Sequence, residues 1–432
     1  MNKSSITIPS RHLCVWYEGE RLGELHEQSG IWSFLYTEEW LARPNPFSIS
    51  PHIPLQKEMH MDGSTNRHVQ WFFDNLLPEE DARTAIFTSI PRKQHDAFSL
   101  LHEYGGESAG ALTILEPGVQ PTTGNITELS NAQLSQRIAK MPTVPLATSS
   151  KKKMSLAGAQ HKVAIIYQDD HLYEPEGNAI STHILKPLHQ HPEQYWSTVC
   201  NEYVVMQLAK KVGLDVPQTH MLHIPDPVYV IQRFDRTGTY PPQTRIHAVD
   251  GCQMLGLYAT AKYKASHTES LSKLVKMTAK KAVTRLRIFD WALFNLLVGN
   301  TDAHLKNLSF LCTPSGYELA PHYDLLSTLI YVNAKGVLDD DLSQPMGSAT
   351  RVRDVRMEHI LAFASEIGVN ASAASRRVKI MVSKILKEMI SLRSEVETMN
   401  YGEGYISKPG DLRMLGEIEH KCIKEMIEQI SK

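Results

Sequence analysis

A chain of 432 residues, 42% hydrophobic and 21% charged with a formal net charge of -2, has the composition of a soluble globular protein with room for about two or three packed units. The near-neutral balance gives no global reason to expect nucleic acid or an acidic surface as a direct partner, and no apolar run approaches the ~20 residues that cross a bilayer. Cys14, Cys200, Cys252, Cys312 and Cys422 are odd in number and form no CxxC pair, which argues against a disulfide framework; with no signal-peptide core after Met1, the expected location is cytoplasmic.

In chain order, residues 13–17 and 21–25 read as short strands joined by a turn at Gly19, with a further strand at 31–36. Trp71, Phe72 and Phe73, stopped by Pro78, form an aromatic core anchor. The small residues of 105–112 (GGESAGAL, from Gly105) permit close backbone approach. The Pro, Gly and Thr of 116–125 read as a linker. Ser130 and Gln133 then have capping-box spacing, opening a short helix that carries Leu134, Ile138 and Met141 on one face until Pro142.

Residues 151–162 (KKKMSLAGAQHK) place small residues and one glycine between lysines, ahead of the apolar run 163–167. Such a loop brings backbone N–H groups close to phosphate oxygens, although neither GxxxxGK[ST] nor GxGxxG is present, and a turn with a solvated lysine run is the plainer reading. Lys186 ends the next β-like run, stopped by Pro187, and Glu202 opens the amphipathic helix that Gly213 closes. A strand lysine facing a helix carboxylate is the pair that holds α- and β-phosphates in kinases. Residues 228–236 read as a strand with a charged exit, either an adenine-binding hinge with Phe234 as its wall or an edge strand with a salt bridge. Beyond Ile246 the pattern turns helical, at 270–277, 283–298, 359–367, 374–399 and 412–430, so a β-rich half precedes a helix-rich half.

The helix at 283–298 is apolar on nearly every side and ends in Gly299-Asn-Thr-Asp302-Ala-His304-Leu305-Lys306-Asn307. Asp302 and Asn307 are five apart, the spacing of the kinase loop HRDxxxxN, in which the aspartate takes or orients the hydroxyl proton and the asparagine holds Mg²⁺. Asp324 supplies a second hard oxygen donor. A helix-capping network without catalysis remains a rival for this loop. No HExxH is present, which disfavours a zinc peptidase.

Together and in order, SLAGAQHK at 155–162, THILKP at 182–187, Asn201-Glu202, QRFDR at 232–236, GNTDAHLKN at 299–307 and PHYD at 321–324 resemble the HipA family of serine/threonine kinases. FFDNLLPE at 72–79 and GGESAGAL at 105–112 resemble that family's N-terminal subdomain. The resemblance implies an α+β, two-lobed, protein-kinase-like fold. It comprises an N-terminal subdomain at 1–115, a linker and bridging helix at 116–148, a kinase N-lobe at 149–240 and a helical C-lobe at 241–432. It implies ATP and Mg²⁺ as cofactors, with Asp302 as proton acceptor, Asn307 and Asp324 as metal ligands, Lys186 as the phosphate lysine and Glu202 as its ion-pair partner. Ala157, Gly158, Ala159, Gln160, His161 and Lys162 correspond to the phosphate loop, and Gln232, Arg233 and Phe234 to the hinge. His304, Leu305, Lys306 and Tyr323 correspond to further nucleotide contacts, and Ser155 to the autophosphorylated serine. The implied role is a toxin, with a small helix-turn-helix antitoxin (HipB-like) as partner, DNA reached through that antitoxin, and an aminoacyl-tRNA synthetase, glutamate-tRNA ligase first, as substrate. His161 and Gln232 depart from the family pattern, where glutamate is common at both positions. A pseudokinase-like co-repressor and a transferase of AMP are the alternatives.

Overall fold

The computed structural model describes residues 10–89, 95–141, 145, 146, 150, 152, 154, 156–158, 160–238, 243–331, 339–399, 401 and 408–432. Ser155 and Ala159 lie outside the described residues.

The first sheet runs β4-β3-β2-β1-β5, built from β1 (Arg11–Tyr17), β2 (Glu20–Gln28), β3 (Ile31–Tyr36), β4 (His60–Met61) and β5 (Leu112–Leu115), all antiparallel. Glu18 and Gly19, at φ 46° and 86°, make the tight left-handed turn between β1 and β2, and Ser29 and Gly30, at 54° and 78°, repeat it before β3. Leu13, Val15, Leu25 and Phe34 are fully buried. They share one core with Phe72 and Phe73 of α2 (His68–Asp74) and Phe98 and Leu101 of α4 (Ala97–Tyr104). Two further helices, α1 (Glu38–Ala42) and α3 (Glu80–Ser89), complete this part of the chain.

The second sheet runs β10-β11-β9-β7-β8-β6. Its strands are β6 (Asn125–Glu128), β7 (Val163–Gln168), β8 (His171–Glu176), β9 (His183–Pro187), β10 (Thr219–Ile224) and β11 (Asp226–Gln232). The expected linker therefore contributes an edge strand, β6, paired with β8; its polar Asn-Ile-Thr-Glu leaves little inward-facing apolar signal to read. The expected capping box of Ser130 and Gln133 opens α5 (Asn131–Ala139). β11 alternates as a two-sided strand should. Val228 and Val230 pack with Leu134 of α5, while Tyr229 and Ile231 join the main core with Val205 and Leu208 of α6 (Thr198–Val212).

After a small ribbon, β12 (Arg236–Thr237) with β13 (Thr244–Arg245), comes the three-stranded sheet β14 (Ala248–Asp250), β15 (Ser309–Thr313) and β16 (Gly316–Leu319). Helices α7 (Gly251–Leu255), α8 (Thr268–Met277) and α9 (Lys281–Val298) lead to it. The hairpin β17 (Asp341–Met346) with β18 (Ala349–Arg351), then α10 (Met357–Glu366), α11 (Ala371–Thr398), α12 (Lys408–Glu417) and α13 (Glu425–Ser431), complete a helical lobe. Among the described residues no helix is long and apolar enough to cross a membrane.

The apolar rod α9 is buried continuously from Trp291 to Val298 and is closed by Gly299 at φ 69°. A Cβ there would meet Cys422 Sγ at 2.8 Å, so both backbone and space demand glycine. Gly299→Ala is expected to cost at least about 1–2 kcal/mol from the left-handed backbone alone, seen as a lower urea midpoint at unchanged slope.

Candidate active site

The two sheets and the helical lobe enclose one cleft that gathers Lys162, Lys186, Glu202, Phe234, Asp302, His304, Asn307, Tyr323 and Asp324. Lys186 leaves the end of β9 and donates to Glu202 Oε1 on α6 at 2.8 Å and to Asp324 Oδ1 at 2.7 Å. Burial opposes the charge, but the two carboxylates prevail and raise the Lys186 ammonium's pKa. Burial likewise pushes Asp324 up, yet Lys186 and Lys162 outweigh it and hold the carboxyl at about 2. Asp324 stands at φ 57°, a left-handed conformation that is rare for a non-glycine residue and concentrates at functional sites.

Opposite lies the loop after α9. The Asp302 amide donates to Asn300 Oδ1 at 3.0 Å, and Asn307 Nδ2 donates to the Asp302 carbonyl at 2.9 Å, so the five-residue spacing closes a compact turn. The Asp302 side chain keeps 42% of its accessibility. The surrounding walls first, and then the Asp324 carboxylate, push it up to about 6. Burial first, with Lys262 beside it, pulls His304 down to about 4, so at neutral pH the imidazole is uncharged and its 4.0 Å approach to Asp302 is no ion pair. Buried His304 Nδ1 has no hydrogen-bond partner among the described residues, a polar atom left for whatever fills the cleft.

At the hinge, the Phe234 ring stacks on Tyr323 with centroids 5.2 Å apart, and the Tyr323 hydroxyl is fixed by the Lys306 carbonyl at 2.7 Å. Gln232 and Arg233 spend their amides on the Gln218 and Thr182 carbonyls, each at 2.9 Å. The Phe234 amide donates to none of the described residues. An aromatic wall beside an uncommitted backbone donor suits a planar heterocycle.

The stretch around Gly158 is held from the N-terminal part of the chain. The Glu79 amide donates to the Gly158 carbonyl at 3.2 Å, and Lys162 Nζ donates to the Ala157 carbonyl at 2.7 Å. Burial, and then Lys186, bring Lys162 down to about 8.

Several expected contacts fall elsewhere. Leu305 is fully buried in the apolar core, because its short 3-10 turn points it inward, so its side chain cannot reach a nucleotide. Gln160 and His161 turn away from the cleft, bonding to the Pro187 carbonyl and Gln190 at 3.3 and 3.0 Å. Lys306 lines the cleft, but its ammonium is taken by Asp250 at 2.6 Å, Asn75 at 2.7 Å and Glu79 at 3.3 Å. Arg233 offers only backbone, since its guanidinium is locked to Asp235 and Glu107.

Glu79, the last residue of the 72–79 stretch, also lines the cleft, as do Glu80, Asp250, Lys262 and Tyr263, which carry no recognisable sequence signal. Lys262 binds Glu79 at 3.0 Å and Glu80 at 2.8 Å, partners over 180 residues away.

Two lobes around a cleft, a strand lysine paired with a helix glutamate, and an aspartate–asparagine loop facing a second aspartate define a protein kinase. The HipA N-terminal domain model matches residues 13–115 and the HipA-like C-terminal domain model residues 154–389. The chain belongs to the HipA family of serine/threonine kinases. It is 33% identical over 387 residues to Y4mE of Sinorhizobium fredii, covering 86% of this chain and 89% of that one. It is 29% identical over 378 residues to the serine/threonine-protein kinase toxin HipA of Shewanella oneidensis, covering 81% and 83%. HipA solved in the Shewanella oneidensis MR-1 complex of HipA, HipB and operator DNA superposes with a TM-score of 0.79 at 25% identity, over 96% of each chain.

Proposed function

We propose that the chain is an ATP- and Mg²⁺-dependent serine/threonine kinase that acts as the toxin of a toxin–antitoxin pair. The observation that carries the reading is Lys186 held between Glu202 at 2.8 Å and Asp324 at 2.7 Å, on the wall facing Asp302. The residues fit the cofactors. Asp324 and the Asn307 amide oxygen are hard donors of the kind Mg²⁺ takes alongside phosphates, and among the described residues no cluster of three or more His, Cys, Asp or Glu forms a separate metal cage. Lys162 and Lys186 neutralise phosphate charge, and Phe234 with Tyr323 walls the base. When bound, Mg-ATP supplies the transferable phosphoryl group. Asp302 then accepts the proton of the attacking protein hydroxyl, its raised pKa bringing it nearer to the pH at which a base both holds and releases a proton well.

Phe234→Ala removes the stacked wall and is expected to weaken nucleotide binding by roughly tenfold, on the scale of one aromatic contact plus its burial. Calorimetric titration with ATP checks it.

The family resemblance and the HipA–HipB complex support a small HipB-like antitoxin as partner, through which operator DNA is reached. Resemblance alone supports glutamate-tRNA ligase as substrate and acceptance of phosphate by Ser155 as self-inactivation; the odd, widely separated cysteines support a cytoplasmic location. Incubation with purified glutamate-tRNA ligase and γ-labelled ATP tests the substrate: label on the ligase supports it, and label on other cytoplasmic proteins alone rejects it. Mass spectrometry of the purified chain decides Ser155.

A further inference from the structure

The Tyr263 hydroxyl donates to Asp302 Oδ1 at 2.9 Å. Both partners sit at the cleft mouth, where Tyr263 is 45% exposed and the Asp302 side chain 42% exposed. The tyrosine is nevertheless held firmly. Its ring meets the His304 ring edge-on at 5.0 Å, and the Lys262 ammonium lies 5.1 Å from its centroid, anchored in turn by Glu79 and Glu80. An aspartate that takes a proton from an attacking hydroxyl must have that hydroxyl about 2.6–3.2 Å away. The phenol already satisfies that requirement.

We propose that Tyr263 occupies the acceptor-hydroxyl position on Asp302, so that its phenol bars water from the carboxylate and gives way only to a hydroxyl carried on a docked protein segment. Tyr263 is thus a specificity-determining residue that suppresses hydrolysis of ATP in favour of transfer to protein. The assignment rests on Asp302 as the proton acceptor. Water is the ever-present competitor in an open cleft, and Asp302 Oδ1 at the mouth has no other described group bonded to it to exclude water.

The test has two arms. Phosphate release from Mg-ATP without a protein acceptor is compared in wild type, Tyr263→Phe and Tyr263→Phe/Asp302→Asn. Loss of a hydrogen bond to a charged group predicts release about tenfold faster or more in Tyr263→Phe, returning to wild type or below in the double variant. Separately, without nucleotide, nitration of Tyr263 by tetranitromethane is followed by peptide mass mapping and is expected to be several-fold faster in Asp302→Ala than in wild type. Release no faster in Tyr263→Phe, while wild type transfers phosphate to protein, overturns the proposal, as does equal nitration in both proteins. Phosphate found on Tyr263 itself overturns it too, because the phenol is then an acceptor rather than a barrier. A wild type that transfers no phosphate to protein overturns the reading of Asp302 instead.

Discussion

Glu107→Ala is expected to lose about 3–5 kcal/mol of folding stability, the usual cost of breaking a buried ion pair by removing one partner. The Glu107 side chain is 1% exposed and meets Lys152 at 2.6 Å, Arg236 at 2.8 Å, Arg233 at 3.0 Å and Arg245 at 3.6 Å, with Ser181 donating at 2.8 Å. Among the described residues only Asp235, bonded to Arg233 at 2.7 Å, shares the burden of these four cations, so removal of Glu107 takes away one of the two carboxylates that balance them. Glu107 joins the N-terminal sheet to Arg233 and Arg236, which frame the hinge, so nucleotide affinity should fall with stability. Burial raises its pKa, but the surrounding cations prevail and set it well below the ordinary 4.5. A depressed folded-state pKa means that the stabilisation is complete above the unfolded value and drains away as pH drops below it toward the folded one. Urea denaturation should therefore show the gap between wild type and Glu107→Ala widest near neutrality and narrowing below about pH 4. A gap under ~1 kcal/mol at neutral pH would place the cluster among surface-like pairs.

What could be read from the residues follows the range of the contacts. Lys186 and Glu202 are 16 apart, and a lysine against Pro187 at a strand end, followed by a helix carboxylate, shows its geometry locally. The Asp302 and Asn307 spacing is likewise a single turn of chain. Arg233 fits both readings of the strand exit, since it lines the cleft while its guanidinium serves Glu107, 126 positions away, a partner that no local pattern names. Leu305 misled because a motif names a stretch of chain and does not say which of its side chains turn inward. Glu79, Lys262 and Tyr263 enter the cleft only once the N-terminal part of the chain packs on the catalytic loop, and Lys262-Tyr263-Lys264 by itself resembles an ordinary solvated surface. The same range of contact explains β6, whose partner β8 begins more than 40 residues after it.

The second large effect concerns Asp302. Asparagine there keeps the size of the side chain and can still accept from the Tyr263 hydroxyl, so the fold and the cleft wall should persist, but the amide cannot take up a proton. General-base contributions put the expected loss of phosphotransfer at about 10²–10⁴-fold, with Mg-ATP affinity changed little because Lys162, Lys186, Asn307 and Asp324 are untouched. A helix-capping role for the loop predicts otherwise: the Asp302 amide to Asn300 bond and the Asn307 to Asp302 carbonyl bond both survive the substitution, so a mere cap would leave transfer intact. The most direct measurement is transfer of label from γ-labelled ATP to protein by wild type and Asp302→Asn, each first shown by titration to bind Mg-ATP equally. Label transferred by wild type and lost from the variant is the predicted result; equal transfer by both, or none by a wild type saturated with Mg-ATP, would contradict the account.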